Sequence, residues 1–144
     1  MNALCGILGR CDASALEAMI VALRARGDAS YKTVTESYAV AASHPIENDI
    51  CLLDGSPRLN TINHVSRSML HGYCSKLQRP ASLAFKGPYA CAVGLEGGAR
   101  WWLMRDELGR RPLYYFQGSG FLAFASELKA LLASGLVPKR LNLL

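Results

Sequence analysis

The chain reads as an α+β protein on three observations taken together. Two stretches in its first half carry apolar residues at helical spacing. Its second half alternates short apolar runs with glycine turns, and a last short helical stretch follows. A length of 144 residues fits a single domain, 1–144, and 51% hydrophobic against 19% charged residues is ample for a buried core.

The elements follow in order. Leu4 to Leu8 is an apolar run ending at Gly9, suited to a buried first strand. Ser14 and Glu17 have the spacing of a capping box, and Leu16, Met19, Ile20 and Leu23 recur at helical spacing. A helix from about Ser14 to Arg26, ended by Gly27, is therefore expected. Tyr38 to Ser43 and Ile50 to Leu53 read as strands, with a turn at Asp54-Gly55-Ser56-Pro57. Ile62, Val65, Met69, Tyr73 and Leu77 predict a second helix from about Thr61 to Leu77, stopped by Pro80. Strands are then expected at Tyr89–Val93, Trp101–Met104, Leu113–Phe116 and Phe121–Ala125. Gly97-Gly98 and Gly118-Ser119-Gly120 mark turns, and three hairpin-like connections in succession imply antiparallel sheet. A short helix from about Ser126, as cap, to Ser134 ends at Gly135.

Composition narrows the function classes. The net charge of +5 is spread along the chain, with only Arg110-Arg111 and Lys139-Arg140 adjacent, and no aromatic-plus-basic RNA-binding signature occurs. Nucleic acid is not an expected partner. No apolar run is long enough for a membrane helix, and Met1-Asn2-Ala3-Leu4 lacks the features of a secretory signal. Five scattered cysteines without a C-x-x-C pair read as reduced thiols in a cytoplasmic protein. His44, His64 and His71 share no metal-ligand spacing with them, so neither metal nor cofactor is expected, and the histidines read as surface or capping residues.

One long ordered stretch carries more. Arg105-Asp106-Glu107-Leu108-Gly109-Arg110-Arg111-Pro112-Leu113-Tyr114-Tyr115, followed by Phe124-Ala125-Ser126-Glu127-Leu128-Lys129-Ala130-Leu131-Leu132, resembles a signature of the glutaminase domain of asparagine synthetases. Those domains are class II glutamine amidotransferases with an N-terminal cysteine nucleophile. The resemblance implies an αββα four-layer sandwich of antiparallel sheets, as in N-terminal-nucleophile hydrolases. It also implies glutamine as ligand, hydrolysed to glutamate and ammonia for a synthetase domain or subunit. The synthetase domain that follows in the family has no counterpart within these 144 residues.

Site residues carry over by position. Cys5-Gly6-Ile7-Leu8-Gly9 matches the family's opening motif, making Cys5 the nucleophile candidate and Gly6 a substrate-binding candidate. In the family the α-amine of that cysteine, with a pKa of about 7.7–8.0, can take the thiol proton. Arg26-Gly27-Asp28 resembles the family's R-G-P-D without its proline, placing Arg26 near the nucleophile. Asp54-Gly55-Ser56 stands where the family has N-G-E, so Gly55 is the oxyanion N–H candidate and Asp54 falls among the substrate-binding positions.

This chain departs from the pattern at several of these places. Met1-Asn2-Ala3-Leu4 precedes Cys5, whose nitrogen is then a peptide amide, so hydrolysis would require cleavage before Cys5. Asp54 puts a carboxylate where a neutral donor is needed, the reverse of what a developing oxyanion requires. Between Tyr31 and Leu53 the only Lys or Arg is Lys32, expected in a loop, and no Asp or Glu occurs from Gly55 through Leu95. The charges that would pair with free glutamine are thus depleted. Two readings follow. One is a glutaminase matured by processing. The other is a catalytically silent module that binds a partner or self-associates as a homodimer, with Arg110-Arg111 and the last helix as contact surfaces.

Overall fold

A computed structural model describes residues 1–60, 62–78 and 84–140. In chain order the elements are β1 (Leu4–Leu8), α1 (Ala13–Leu23), β2 (Tyr31–Val34), β3 (Tyr38–Ala42), β4 (Cys51–Gly55), α2 (Arg67–Ser75), β5 (Tyr89–Leu95), β6 (Arg100–Arg105), β7 (Tyr114–Gln117), β8 (Leu122–Ala125) and α3 (Leu128–Ala133). They form one five-stranded antiparallel sheet, β2-β3-β1-β8-β7, and one three-stranded antiparallel sheet, β4-β5-β6.

The period-two alternation of strand side chains sorts the core into three layers. One face of β1 sends Cys5 and Ile7 outward against Leu16, Met19 and Leu23 of α1 and Ala130 and Leu131 of α3. Its other face sends Leu4 and Leu8 inward, where they meet Val40, Leu52, Ala92 and Phe124 between the sheets. On the far side Leu70 and Cys74 of α2 cover Cys91, Val93 and Trp102 of the smaller sheet. Helices, sheet, sheet and helix therefore stack in that order. No described helix is long and apolar enough to cross a membrane.

Several expectations are corrected by local chemistry. The cap of α1 is Asp12, whose carboxylate accepts from Ala15 N at 3.0 Å; Glu17 pairs with Lys32 instead of closing a capping box with Ser14. Lys32 lies in β2, a mostly exposed edge strand with no apolar alternation to announce it. Asp54 and Gly55 continue β4, paired opposite Ala90 and Tyr89, so the expected turn begins only after them. The start of α2 is set by Ser66, whose hydroxyl accepts from Met69 N at 3.3 Å. The expected start at Thr61 and the stop at Pro80 lie outside the described residues. Ser126 does not cap α3, because its hydroxyl accepts from Leu4 N at 3.0 Å and staples β1 to the chain after β8. The link from β6 to β7 is no hairpin; it carries the chain from one sheet to the other.

That link contains the signature stretch, and its turn is built around one carboxylate. Asp106, 6% exposed, accepts from the backbone N–H groups of Tyr89, Arg110 and Arg111 at 3.3, 3.2 and 3.3 Å. Burial alone would raise its pKa, but these backbone donors outweigh it and hold the carboxyl below its ordinary range. Gly109 supplies the positive φ of 61° that the turn needs. The loop is thereby fixed, and Arg111 is aimed back at β4.

Candidate functional site at the head of the first strand

The residues before β1 are built into the fold. Ala3 N donates to Ser43 Oγ at 2.8 Å, and Ala3 and Leu4 are buried. Gly27 permits the approach of this segment, since a Cβ there would stand 2.8 Å from the Met1 carbonyl oxygen. The Arg26 Nε–H then donates to the Asn2 carbonyl at 3.2 Å, while Arg26 Nη2 meets Asp54 Oδ2 at 2.5 Å. Asp54 Oδ1 accepts from Asn2 N at 3.3 Å, and Arg111 Nη1 stands 3.7 Å from the same oxygen. The Asp54 side chain is 1% exposed and that of Arg26 6%. Two guanidinium groups and a backbone N–H therefore compensate one buried carboxylate, as such a charge requires.

The strand register shows what else faces this point. Ser56 N bonds to Pro88 O and Gly94 N to Ile50 O, so the even residues of β4 bond to β5. The odd residues turn their N–H and C=O groups to the open edge. Leu53 uses both there: its N–H donates to His44 Nε2 at 3.0 Å, and its carbonyl accepts from Asn2 Nδ2 at 3.3 Å. Gly55 directs its N–H to the same edge, into a cleft of about 410 Å³ lined by Asn2, His44, His64, Ser66 and Arg67 among others. Gly55 is required by the backbone: its φ is 101°, and a Cβ would lie 2.2 Å from Pro88 O.

His44 accepts at Nε2, so its proton sits on Nδ1, 3.1 Å from Pro45 O. Burial is the main cause of its lowered pKa, which keeps the ring neutral. Arg67 bonds to Pro45 O at 3.1 Å and lies 3.6 Å from Glu47. No thiol lines the cleft. Among the described residues no group of three or more His, Cys, Asp or Glu could hold a metal ion.

Arg26, Asp54 and Gly55 are thus brought together, and Cys5 and Gly6 lie elsewhere. Cys5 is fully buried on the helix-facing side of β1, packed in the cluster that contains Leu16 and Met19. Burial, with a smaller contribution from Glu17, pushes its thiol up to about 12. Gly6 faces the other way, beneath Phe124, whose ring would stand 2.7 Å from a Cβ at that position. The residue at the site is Asn2, three before Cys5 and ahead of β1, and its side chain is an amide. Asn2, His44, His64 and Arg67 escaped the sequence reading because each reaches the cleft through tertiary contacts. Arg111 was legible as part of the signature, but its contact with Asp54 was not.

No curated protein matches the chain significantly. A family model described as a glutamine amidotransferase domain matches residues 35–133, a span that includes Asp54, Gly55 and the whole signature stretch. The chain belongs to the glutamine amidotransferase domain family.

Proposed function

We propose that this is a glutamine amidotransferase domain of the asparagine synthetase kind, with the N-terminal-nucleophile sandwich retained and glutamine hydrolysis lost. In this reading it serves in the cytoplasm as a module that binds a synthetase partner. The observation that carries the reading is the register of β1. Asn2, without a nucleophilic side chain, stands beside Arg26 and the Asp54-Gly55 pair, whereas the Cys5 thiol faces the helices. Cleavage before Cys5 would remove Leu4, a paired strand residue opposite Ala42 and the partner of Ser126. It would also remove Asn2, and with it two of the contacts that hold Asp54 and Leu53.

Asp54 adds a second obstacle. A tetrahedral intermediate at the Gly55 N–H would develop negative charge beside a carboxylate already present. The pair with Arg26 leaves that carboxylate well anchored. Ammonia release from glutamine, measured for the wild type and for Cys5→Ala, tests the reading. Equal, background-level release from both is expected. Release that disappears in Cys5→Ala would establish a working glutaminase instead.

A further inference from the structure

We infer that the open mouth between β6 and β7 docks an extended polypeptide segment carrying carboxylates; the inference rests on reading the domain as a partner-binding module. β6 and β7 are the last strands of their sheets on the same side of the sandwich, and among the described residues neither has a second partner strand. Between them lies a cleft of about 630 Å³, lined by Trp101, Leu103, Leu113, Tyr115 and Leu122 among others. It continues the apolar layer between the sheets outward to solvent.

The backbone at this mouth is available for pairing. Asp106 N bonds to Tyr89 O, which places the hydrogen-bonded pairs of β5 and β6 at the even residues of β6. Trp101, Leu103 and Arg105 therefore present their N–H and C=O groups to the open edge. Gly118 N bonds to Phe121 O, and the same alternation leaves those of Tyr115 and Gln117 outward on β7. An added strand would gain main-chain bonds from such an edge and set alternate side chains in the cleft.

Charge selects the occupant. Arg105 lines this cleft and is exposed, and among the described residues it is paired with no carboxylate. The acids nearby are already engaged: Asp106 by backbone donors, and Glu107 with Lys86 at 3.7 Å. A carboxylate-bearing segment would pair with Arg105, whereas a second copy would bring no unengaged acid from this mouth.

The full chain should be titrated with a capped synthetic peptide of alternating valine and glutamate, and with its valine–lysine counterpart. Tryptophan fluorescence and backbone amide shifts at positions 101, 103, 105, 115 and 117 would follow the binding. The acidic peptide is expected to bind about tenfold or more tighter than the basic one. That preference should fall in Arg105→Glu, and binding should weaken in Tyr115→Pro, which removes an outward N–H together with a cleft-lining phenol. Equal binding of the two peptides, no binding by either, or binding indifferent to both variants would overturn the inference. So would a concentration-dependent dimer abolished by Tyr115→Pro, which would make a second copy the occupant. Ammonia release from glutamine by the same sample would instead sink the silent-module reading, while leaving the peptide result to stand or fall separately.

Discussion

Two buried carboxylates, Asp54 in β4 and Asp106 just after β6, flank the central strand β5 of the smaller sheet and are satisfied in opposite ways. Asp106 is held by backbone N–H groups, two of them from the four and five residues that follow it. Asp54 is held by side chains and backbone from remote positions: Arg26, Arg111 and Asn2. The first arrangement needs a local turn and one residue of the adjacent strand, Tyr89, so most of it is set within the signature sequence itself. The second needs three separate segments to converge, and each can drift. The part of the molecule that preserves the fold is therefore locally determined, and the part that would perform chemistry is not.

The largest expected effect separates the two directly. Arg26→Ala leaves Asp54 buried with only the more distant Arg111 as cation, and should cost about 3–5 kcal/mol of stability in denaturant unfolding. A loss under about 1 kcal/mol would mean that Arg111 or water replaces Arg26 readily. Asp106→Ala strands backbone donors of the signature turn and should cost about 1–3 kcal/mol. Its pH dependence has a definite sign. The folded pKa of Asp106 lies below its unfolded value, so its contribution is present above the ordinary carboxylate range of about 4. It is lost as pH falls through the folded value, so the difference between wild type and Asp106→Ala should shrink in acid. A difference that grows on acidification would contradict the backbone-donor account.

Smaller effects sharpen the picture at β1 and at the open edge. Cys5→Ser buries a hydroxyl among apolar side chains and should cost about 1–3 kcal/mol, without changing any response to glutamine. Tyr115→Ala, at a side chain 66% exposed, should stay within about 0.5 kcal/mol in the unbound protein. A larger loss would mean that Tyr115 contributes to the core and not to an open surface.

The same contrast explains what could be read in advance. The α+β class, β1, α1, α3 and the hairpins β5–β6 and β7–β8 followed from periodicity and turn chemistry, both local signals. Ser14 and Asp12 both have capping chemistry, and only the observed helix start distinguishes them. Ser126 looked like a cap because its bond to Leu4, across the whole chain, is invisible in sequence. At the site, Cys5-Gly6-Ile7-Leu8-Gly9 matched by spelling. The register of a strand decides which face each letter occupies; Leu4 is already paired in that strand, and Asn2 and Ala3 are bonded into the fold instead of forming a dispensable extension. Asp54 likewise read as a turn residue, because its ion partners come from elsewhere in the chain.

The account stands or falls on Cys5 being sealed against the helices while the first four residues remain in place. Native protein exposed briefly to iodoacetamide near pH 8, then digested and mapped by mass spectrometry, tests this with the intact mass of the same sample. Exposed Cys11 should be alkylated while Cys5, with its thiol pushed up to about 12, stays unmodified on a chain that keeps Asn2. Rapid alkylation of Cys5, or a mass lacking residues 1–4 with Cys5 at the amino terminus, would contradict it.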